Sequence, residues 1–234
     1  MDIENKAQKF WEEGYLVIAG FFDKDLMDRL NKNILDHFGM DPHWEHTDEF
    51  INKSATEVVP WFPYQEDYYD GFKEVDEDHN FKELTGEILG EGWSDLYCMA
   101  MFSKEATKGQ AWHQDCPPEN PQQFNLNRLV YTHDIIAENG GGTIVFPGSH
   151  KMGTLTPGDP DADIPGQVVL YPKKGTLVIL HGHTWHRVLP VKSKYRVSTN
   201  FRAIPENTPE DITDIAVYRN MRYKFSTREV LEER

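Results

Sequence analysis

Within Trp112-His113-Gln114-Asp115, two residues have types and spacing that suit chemistry. His113 and Asp115 stand at i and i+2 in a stretch that reads as extended, and alternate side chains of a strand project from one face. An imidazole and a carboxylate are thus set side by side, close enough to share a metal ion. Two ligands hold a transition metal poorly, so a third is expected downstream. The run His181-Gly182-His183-Thr184-Trp185-His186 offers three imidazoles, of which His186 is the foremost candidate. Two His and one carboxylate, with coordination positions left open, suit non-haem Fe(II) and oxygen chemistry. Ten residues after His186 comes Arg196-Val197-Ser198, a cation and a hydroxyl on one face of another strand. An Arg beside such a metal suits a second carboxylate, held by bidentate hydrogen bonds and belonging to a cosubstrate.

His-x-Asp alone is a common pattern, and His46-Thr47-Asp48 is a second instance in this Asp-rich chain of ten His. The surroundings raise the first instance above the second. Behind it lie Asn139-Gly-Gly-Gly-Thr-Ile-Val-Phe-Pro-Gly-Ser-His150-Lys151, the apolar run Thr176–Leu180, His186 and Arg196. In that order these pieces resemble the phytanoyl-CoA dioxygenase family of Fe(II)/2-oxoglutarate oxygenases. Phe10-Trp-Glu-Glu-Gly-Tyr-Leu-Val-Ile-Ala-Gly-Phe-Phe22 resembles that family's opening, and the resemblance spans about residues 8–39 and 93–204.

The resemblance implies Fe(II) held by His113, Asp115 and His186, with 2-oxoglutarate and O2 as cosubstrates. It selects His186 over His181 and His183, because the family's ligand His stands just before the turn into the Arg strand. It implies that Arg196, helped by Ser198, holds the far carboxylate of 2-oxoglutarate. Tyr131, eighteen residues after His113, falls where relatives carry an aromatic that touches the cosubstrate, although the family's usual residue is Trp. Met99 matches a position lining the same pocket. His133, Trp185 and Asn200 are expected to face the substrate, with core packing as the competing role of the first two and exposure to solvent as that of Asn200. The reaction implied is hydroxylation of an unactivated C–H of a small polar molecule, with release of succinate and CO2. A jelly-roll metalloprotein of another class, a zinc hydrolase or isomerase or a non-catalytic binding protein, is the alternative.

These residues need a scaffold, and the hydrophobic pattern describes one. Ile3, Ala7, Phe10 and Trp11 share a helical face over residues 2–13, with Asp2 as cap and Gly14 as stop. Tyr15–Ile18 is a short strand. Asp23 caps a second helix, with Leu26, Met27, Leu30, Ile34 and Leu35 as its stripe and Gly39 at its end. Residues 41–80 are aromatic and acidic without a period, and are expected either to pack on the barrel or to form a lid. Phe81–Leu89 reads as a helix. From Trp93 the period shifts toward two, with strands at about 93–102, 111–116, 127–136, 143–146, 167–171, 176–181 and 194–203. Along the last, Arg196, Ser198, Asn200 and Arg202 face one way and Val197 and Phe201 the other, so the polar face meets either solvent or a polar cavity. The Asp159-Pro-Asp161-Ala-Asp163 run departs from a calcium loop, with Ile164 where Gly is needed, and reads as a solvated turn. Ile212, Ile215, Ala216 and Tyr218 suggest a short C-terminal helix. The fold expected is mainly β with flanking helices: a double-stranded β-helix, or jelly roll, of the cupin-like kind, in a single domain over 1–234 with N-terminal helices in 1–40.

Composition sets bounds around that reading. A chain of 234 residues with 38% hydrophobic and 12% aromatic content supports one substantial core. Its net charge of −15 disfavours nucleic acid and anionic membranes as partners and makes a CoA ester a poor substrate. Acidity in 41–80 hints instead at an amine-bearing molecule. Two Cys and no secretory segment suggest free thiols and a cytoplasmic location. The sequence assigns no oligomeric state.

Overall fold

The computed structural model describes residues 2–39, 57–225 and 230–233. The second His-x-Asp pair, His46-Thr47-Asp48, and residues 41–56 of the aromatic, acidic stretch lie outside them. Helix α1 (Ile3–Glu13) begins where Asp2 accepts the Asn5 amide and ends at Gly14, whose φ of 77° closes the helix on the Phe10 carbonyl. Strand β1 (Tyr15–Ile18) leads to α2 (Lys24–Phe38), capped by Asp23. Then follow β2 (Val59–Trp61), α3 (Phe72–Asp76) and α4 (His79–Leu89). Asp78 caps α4, so it starts two residues before the sequence-based boundary at Phe81. The remaining strands are β3 (Ser94–Lys104), β4 (Gln110–Gln114), β5 (Leu126–Val130), β6 (Thr143–Val145), β7 (Val168–Leu170), β8 (Leu177–His181), β9 (His186–Val188) and β10 (Tyr195–Ile204). Strands β11 (Ile215–Tyr218), β12 (Arg222–Phe225) and β13 (Val230–Glu233) complete the order.

The strands form two antiparallel sheets, β1-β8-β5-β10-β3-β2 and β13-β12-β11-β4-β9-β6-β7, which together make the expected double-stranded β-helix. Phe10, Met27, Leu30, Ile34, Phe72, Phe81 and Leu84 pack the helices against Val197, Phe201 and Phe102 on the outer face of the first sheet. Burying a side chain of this size stabilises by roughly 1.5–3 kcal/mol. The inner face of the same sheet points at the second sheet, and there the alternation of β10 turns polar.

The segment 57–80 is built into this scaffold. Strand β2 pairs with β3 (Val59↔Phe102), and Trp61, Phe72 and Val75 are buried. The expected C-terminal helix is overturned. After a short 3-10 turn, Ile215-Ala-Val-Tyr218 pairs with β4 (Val217↔Gln114, Tyr218↔His113) and extends the second sheet. The helical period seen in four apolar residues is outweighed by a β-branched run beside an open sheet edge. The strand expected over 127–136 stops at Val130, and His186–Val188 forms a strand that the pattern had not marked. Among the described residues no helix is long and apolar enough to cross a membrane.

Candidate active site

Strands β4 and β9 are neighbours in the second sheet, with His113 opposite His186. That register sets the two imidazole centroids 4.1 Å apart. Both rings are fixed in the same way, His113 Nδ1 against the Ala111 carbonyl at 2.7 Å and His186 Nδ1 against the Thr184 carbonyl at 2.8 Å. With each Nδ1–H donating to a carbonyl, both Nε2 lone pairs face inward. Asp115 follows the end of β4, its amide bonded to the Gly182 carbonyl at 2.8 Å. Its Oδ1 lies 3.5 Å from His113 Nε2 and its Oδ2 3.5 Å from His186 Nε2. One ligand atom from each residue falls within 4.8 Å of the others, and among the described residues this is the one such cluster of metal-binding groups. The donor set fits a divalent metal of intermediate softness.

Electrostatics favour the ligand forms. Burial pushes Asp115 up, but Arg202, the two imidazoles and an Asn127 hydrogen bond outweigh it and hold the carboxyl at about 2. Burial, then His186, lowers His113 to about 4. At neutral pH Asp115 is therefore a carboxylate and His113 a neutral base.

Between the sheets these groups open onto a cavity that also receives Met99, Met101, Gln110, Asn127, Leu129, Thr143, Val188, Arg196, Ser198, Asn200 and Arg202. The polar face of β10 thus meets a cavity and not solvent. Arg196, 3% exposed, donates through Nε to the Gly141 carbonyl (2.9 Å) and through Nη1 to Ser198 Oγ (3.1 Å). Its Nη2 reaches Thr143 Oγ1 (3.2 Å) and Tyr131 Oη (3.5 Å). All four partners are neutral, and among the described residues no carboxylate pairs with Arg196. A buried, uncompensated guanidinium is costly and calls for an anion.

Of the residues singled out by sequence, His113, Asp115, His186, Met99, Arg196, Ser198 and Asn200 come together around this cavity. Tyr131 stands behind it, its hydroxyl shared with Thr143 at 3.0 Å. Two expectations are corrected. His133 lies outside the cavity, its ring 5.0 Å from that of Tyr195, because β5 ends at Val130 and alternation no longer governs position 133. Trp185 also faces away, packed with Trp112, Ile144 and Leu155, since its strand neighbour His186 points inward. His181 and His183 sit behind Gly182 against Phe124 and His150.

Asn127, Arg202 and Gln110 were missed as site residues. Arg202 was legible from its place on the polar face of β10. Asn127 needed the strand register. Gln110 is brought inward by a register shift between Gln110 and His113, which parity along the sequence cannot foresee.

Comparison with known proteins fits this geometry. A family model described as phytanoyl-CoA dioxygenase (PhyH) matches residues 10–197. No curated protein matches in a sequence search. Among solved structures, the non-heme alpha ketoglutarate dependent epimerase SnoN from nogalamycin biosynthesis aligns with a TM-score of 0.68 at 16% identity, covering 93% of this chain and 85% of that one. HygX from Streptomyces hygroscopicus, with nickel, 2-oxoglutarate and hygromycin B bound, aligns with a TM-score of 0.68 at 14% identity, covering 88% of each chain. At these identities the likeness establishes the double-stranded β-helix.

Proposed function

The chain belongs to the phytanoyl-CoA dioxygenase family, and from that premise we propose that it hydroxylates an unactivated C–H bond of a small polar molecule. As a family member it is an Fe(II)- and 2-oxoglutarate-dependent enzyme of the oxygenase type, using O2. In our reading His113, Asp115 and His186 hold the iron and Arg196 holds the far carboxylate of 2-oxoglutarate. The observation that carries this reading is the buried Arg196, without a carboxylate partner among the described residues, in the same cavity as the His/Asp/His cluster. A zinc hydrolase has no use for such a seat.

When bound, iron and 2-oxoglutarate would activate O2, 2-oxoglutarate leaving as succinate and CO2 with one oxygen atom and the other serving as the oxidant. The chain's own work is positioning. The Ala111 and Thr184 carbonyls fix both imidazole tautomers. Gly141, Ser198 and Thr143 aim the Arg196 fork, which suits planar two-point recognition of a carboxylate. Met99, Met101, Leu129 and Val188 give the cavity apolar walls that limit water around the reacting C–H. Gln110, Asn127 and Asn200 in its lining favour a polar substrate. SnoN and HygX have nogalamycin RO and hygromycin B in their complexes, which supports a small-molecule substrate here. Because SnoN is an epimerase, hydrogen removal followed by its return at the opposite face is the second outcome such a site supports.

Anaerobic titration of the apo-protein with Fe(II) and 2-oxoglutarate tests the site. A weak visible metal-to-ligand charge-transfer band is expected in the wild type, and its loss or weakening in Asp115→Ala, His186→Ala and Arg196→Ala. No band in a wild type that binds iron tightly would sink the 2-oxoglutarate reading. With a turned-over substrate, a gain of one oxygen atom in product mass separates hydroxylation from epimerisation.

A further inference from the structure

The two oxygens of Asp115 have different surroundings. Oδ2 accepts from Asn127 Nδ2 at 2.8 Å and from Arg202 Nη2 at 3.1 Å. Oδ1 has neither donor; it lies 3.5 Å from His113 Nε2, as Oδ2 does from His186 Nε2. Both donors stand in one row across the first sheet, because Arg202 is the register partner of Tyr97 on β3 and of Asn127 on β5. The row is bonded along its length: Arg202 Nη1 donates to Tyr97 Oη at 2.7 Å and Arg202 Nε to Asn127 Oδ1 at 2.8 Å. Asn200 Nδ2 donates to the same Asn127 oxygen at 2.7 Å, and its own Oδ1 accepts the Arg128 amide at 3.2 Å. With Asn127 Oδ1 taken by two donors, its Nδ2 is left to face Asp115. The Asn127 and Arg202 side chains therefore have little freedom to turn away. Asp115 itself rests on the second sheet, so the row also spans the gap between sheets.

We infer that Tyr97, Arg202 and Asn127 form a positioning row that occupies Oδ2 of Asp115 and leaves Oδ1 as the oxygen offered to the metal; this rests on the metal site proposed above. None of the three is a metal ligand. A carboxylate free to turn can close on a metal with both oxygens and take up a position that cosubstrate or oxygen needs. A carboxylate with one oxygen already held by a guanidinium and an amide cannot do so without breaking two hydrogen bonds. The fork geometry is central, since one group has to serve Asn127, Tyr97 and Asp115 at once.

Cobalt(II) alone, added to the apo-protein under anaerobic conditions, reads the site without turnover. Arg202→Met is expected to bind Co(II) about 10–100-fold more weakly than wild type. It is also expected to change the intensity of the Co(II) visible spectrum, because a released Oδ2 alters the coordination number. Arg202→Lys keeps the charge and length without the fork, so it falls between the two; it also serves as the test should the Met variant fail to fold. Tyr97→Phe, which removes one anchor of the row and keeps the ring, shows the same spectral change to a lesser degree. Either Arg202 variant, folded and binding Co(II) with wild-type affinity and spectrum, overturns the inference. A wild type that does not bind Co(II) overturns the metal site itself, a result distinct from binding that ignores Arg202.

Discussion

Arg196 and Arg202 stand six residues apart on one face of β10, both buried, yet their charges are balanced differently. Arg196 is surrounded by a carbonyl and three hydroxyls, none of them charged. Arg202 faces the Asp115 carboxylate at 3.1 Å. The first end of the cavity keeps a positive charge in reserve, and the second uses its charge inside the protein. Residue type and strand parity are the same at both ends, so role is set by what the neighbouring strands bring. At Arg196 these are the glycine turn before β6 and Thr143. At Arg202 they are β5 and the chain leaving β4.

The contrast is sharpest in the ligand each arginine controls. Arg196→Met is expected to weaken 2-oxoglutarate binding by ~100–1,000-fold, on the scale of ~3–4 kcal/mol for losing one partner of a buried charge pair. Its affinity for metal alone stays near wild type, the reverse of the Arg202 variants. Isothermal titration with Co(II) and then 2-oxoglutarate measures both, and equal losses of both ligands in both variants would break the comparison.

Acid provides a common background against which the two ends differ. His181 and His183 lie behind the cavity, where burial holds His183 down at about 4 and His181 well below the ordinary range. An unfolded His titrates near ~6.5, so between about pH 6.5 and 4 the unfolded state binds more protons. Stability present at neutral pH is therefore lost as pH falls through that window, by ~3 kcal/mol from His183 alone. Asp115, held at about 2 against an unfolded value near ~3.9, adds a small loss of the same sign as pH nears 4. Thermal melting of the apo-protein from pH 7 to 4 is expected to give a slightly shallower slope for Arg196→Met than for wild type, because Arg196 helps to hold His133 down. In Arg202→Met Asp115 loses the strongest of the groups that hold it down, so it takes up its proton earlier in the folded state, which flattens the loss. A wild-type slope in Arg202→Met would show that Arg202 does not control Asp115.

The smallest effect concerns how Arg196 is seated. Gly141 has φ 70°, and a Cβ there would stand 3.0 Å from Arg196 Cδ. Gly141→Ala is expected to cost ~1–2 kcal/mol of stability through the left-handed backbone and to weaken 2-oxoglutarate binding several-fold. Metal affinity is expected to hold, which melting and titration on the same sample will check.

Much of this was legible in the chain. Alternation along Tyr195–Ile204 separated the core residues Val197 and Phe201 from a polar face that proved to line the cavity. Caps at Asp2 and Asp23 and the stops at Gly14 and Gly39 marked two helices, because those signals are local. His133 and Trp185 misled because alternation was extended past the end of a strand, or ignored for a neighbour of an inward His. The C-terminal strands were hidden because their stability comes from an edge supplied by β4, over a hundred residues earlier in the chain.

By itself the sequence determined which residue types were available: the His-x-Asp pair, a later imidazole, an arginine on an alternating strand, and glycines where the backbone must turn. Those follow from local chemistry and short-range period. Only the tertiary structure decided which of three imidazoles meets Asp115, by setting His113 opposite His186 in the ladder. It also decided that Arg202 faces a carboxylate while Arg196 does not. Charge compensation inside a protein depends on groups brought together across sheets, and no spacing along one strand encodes it.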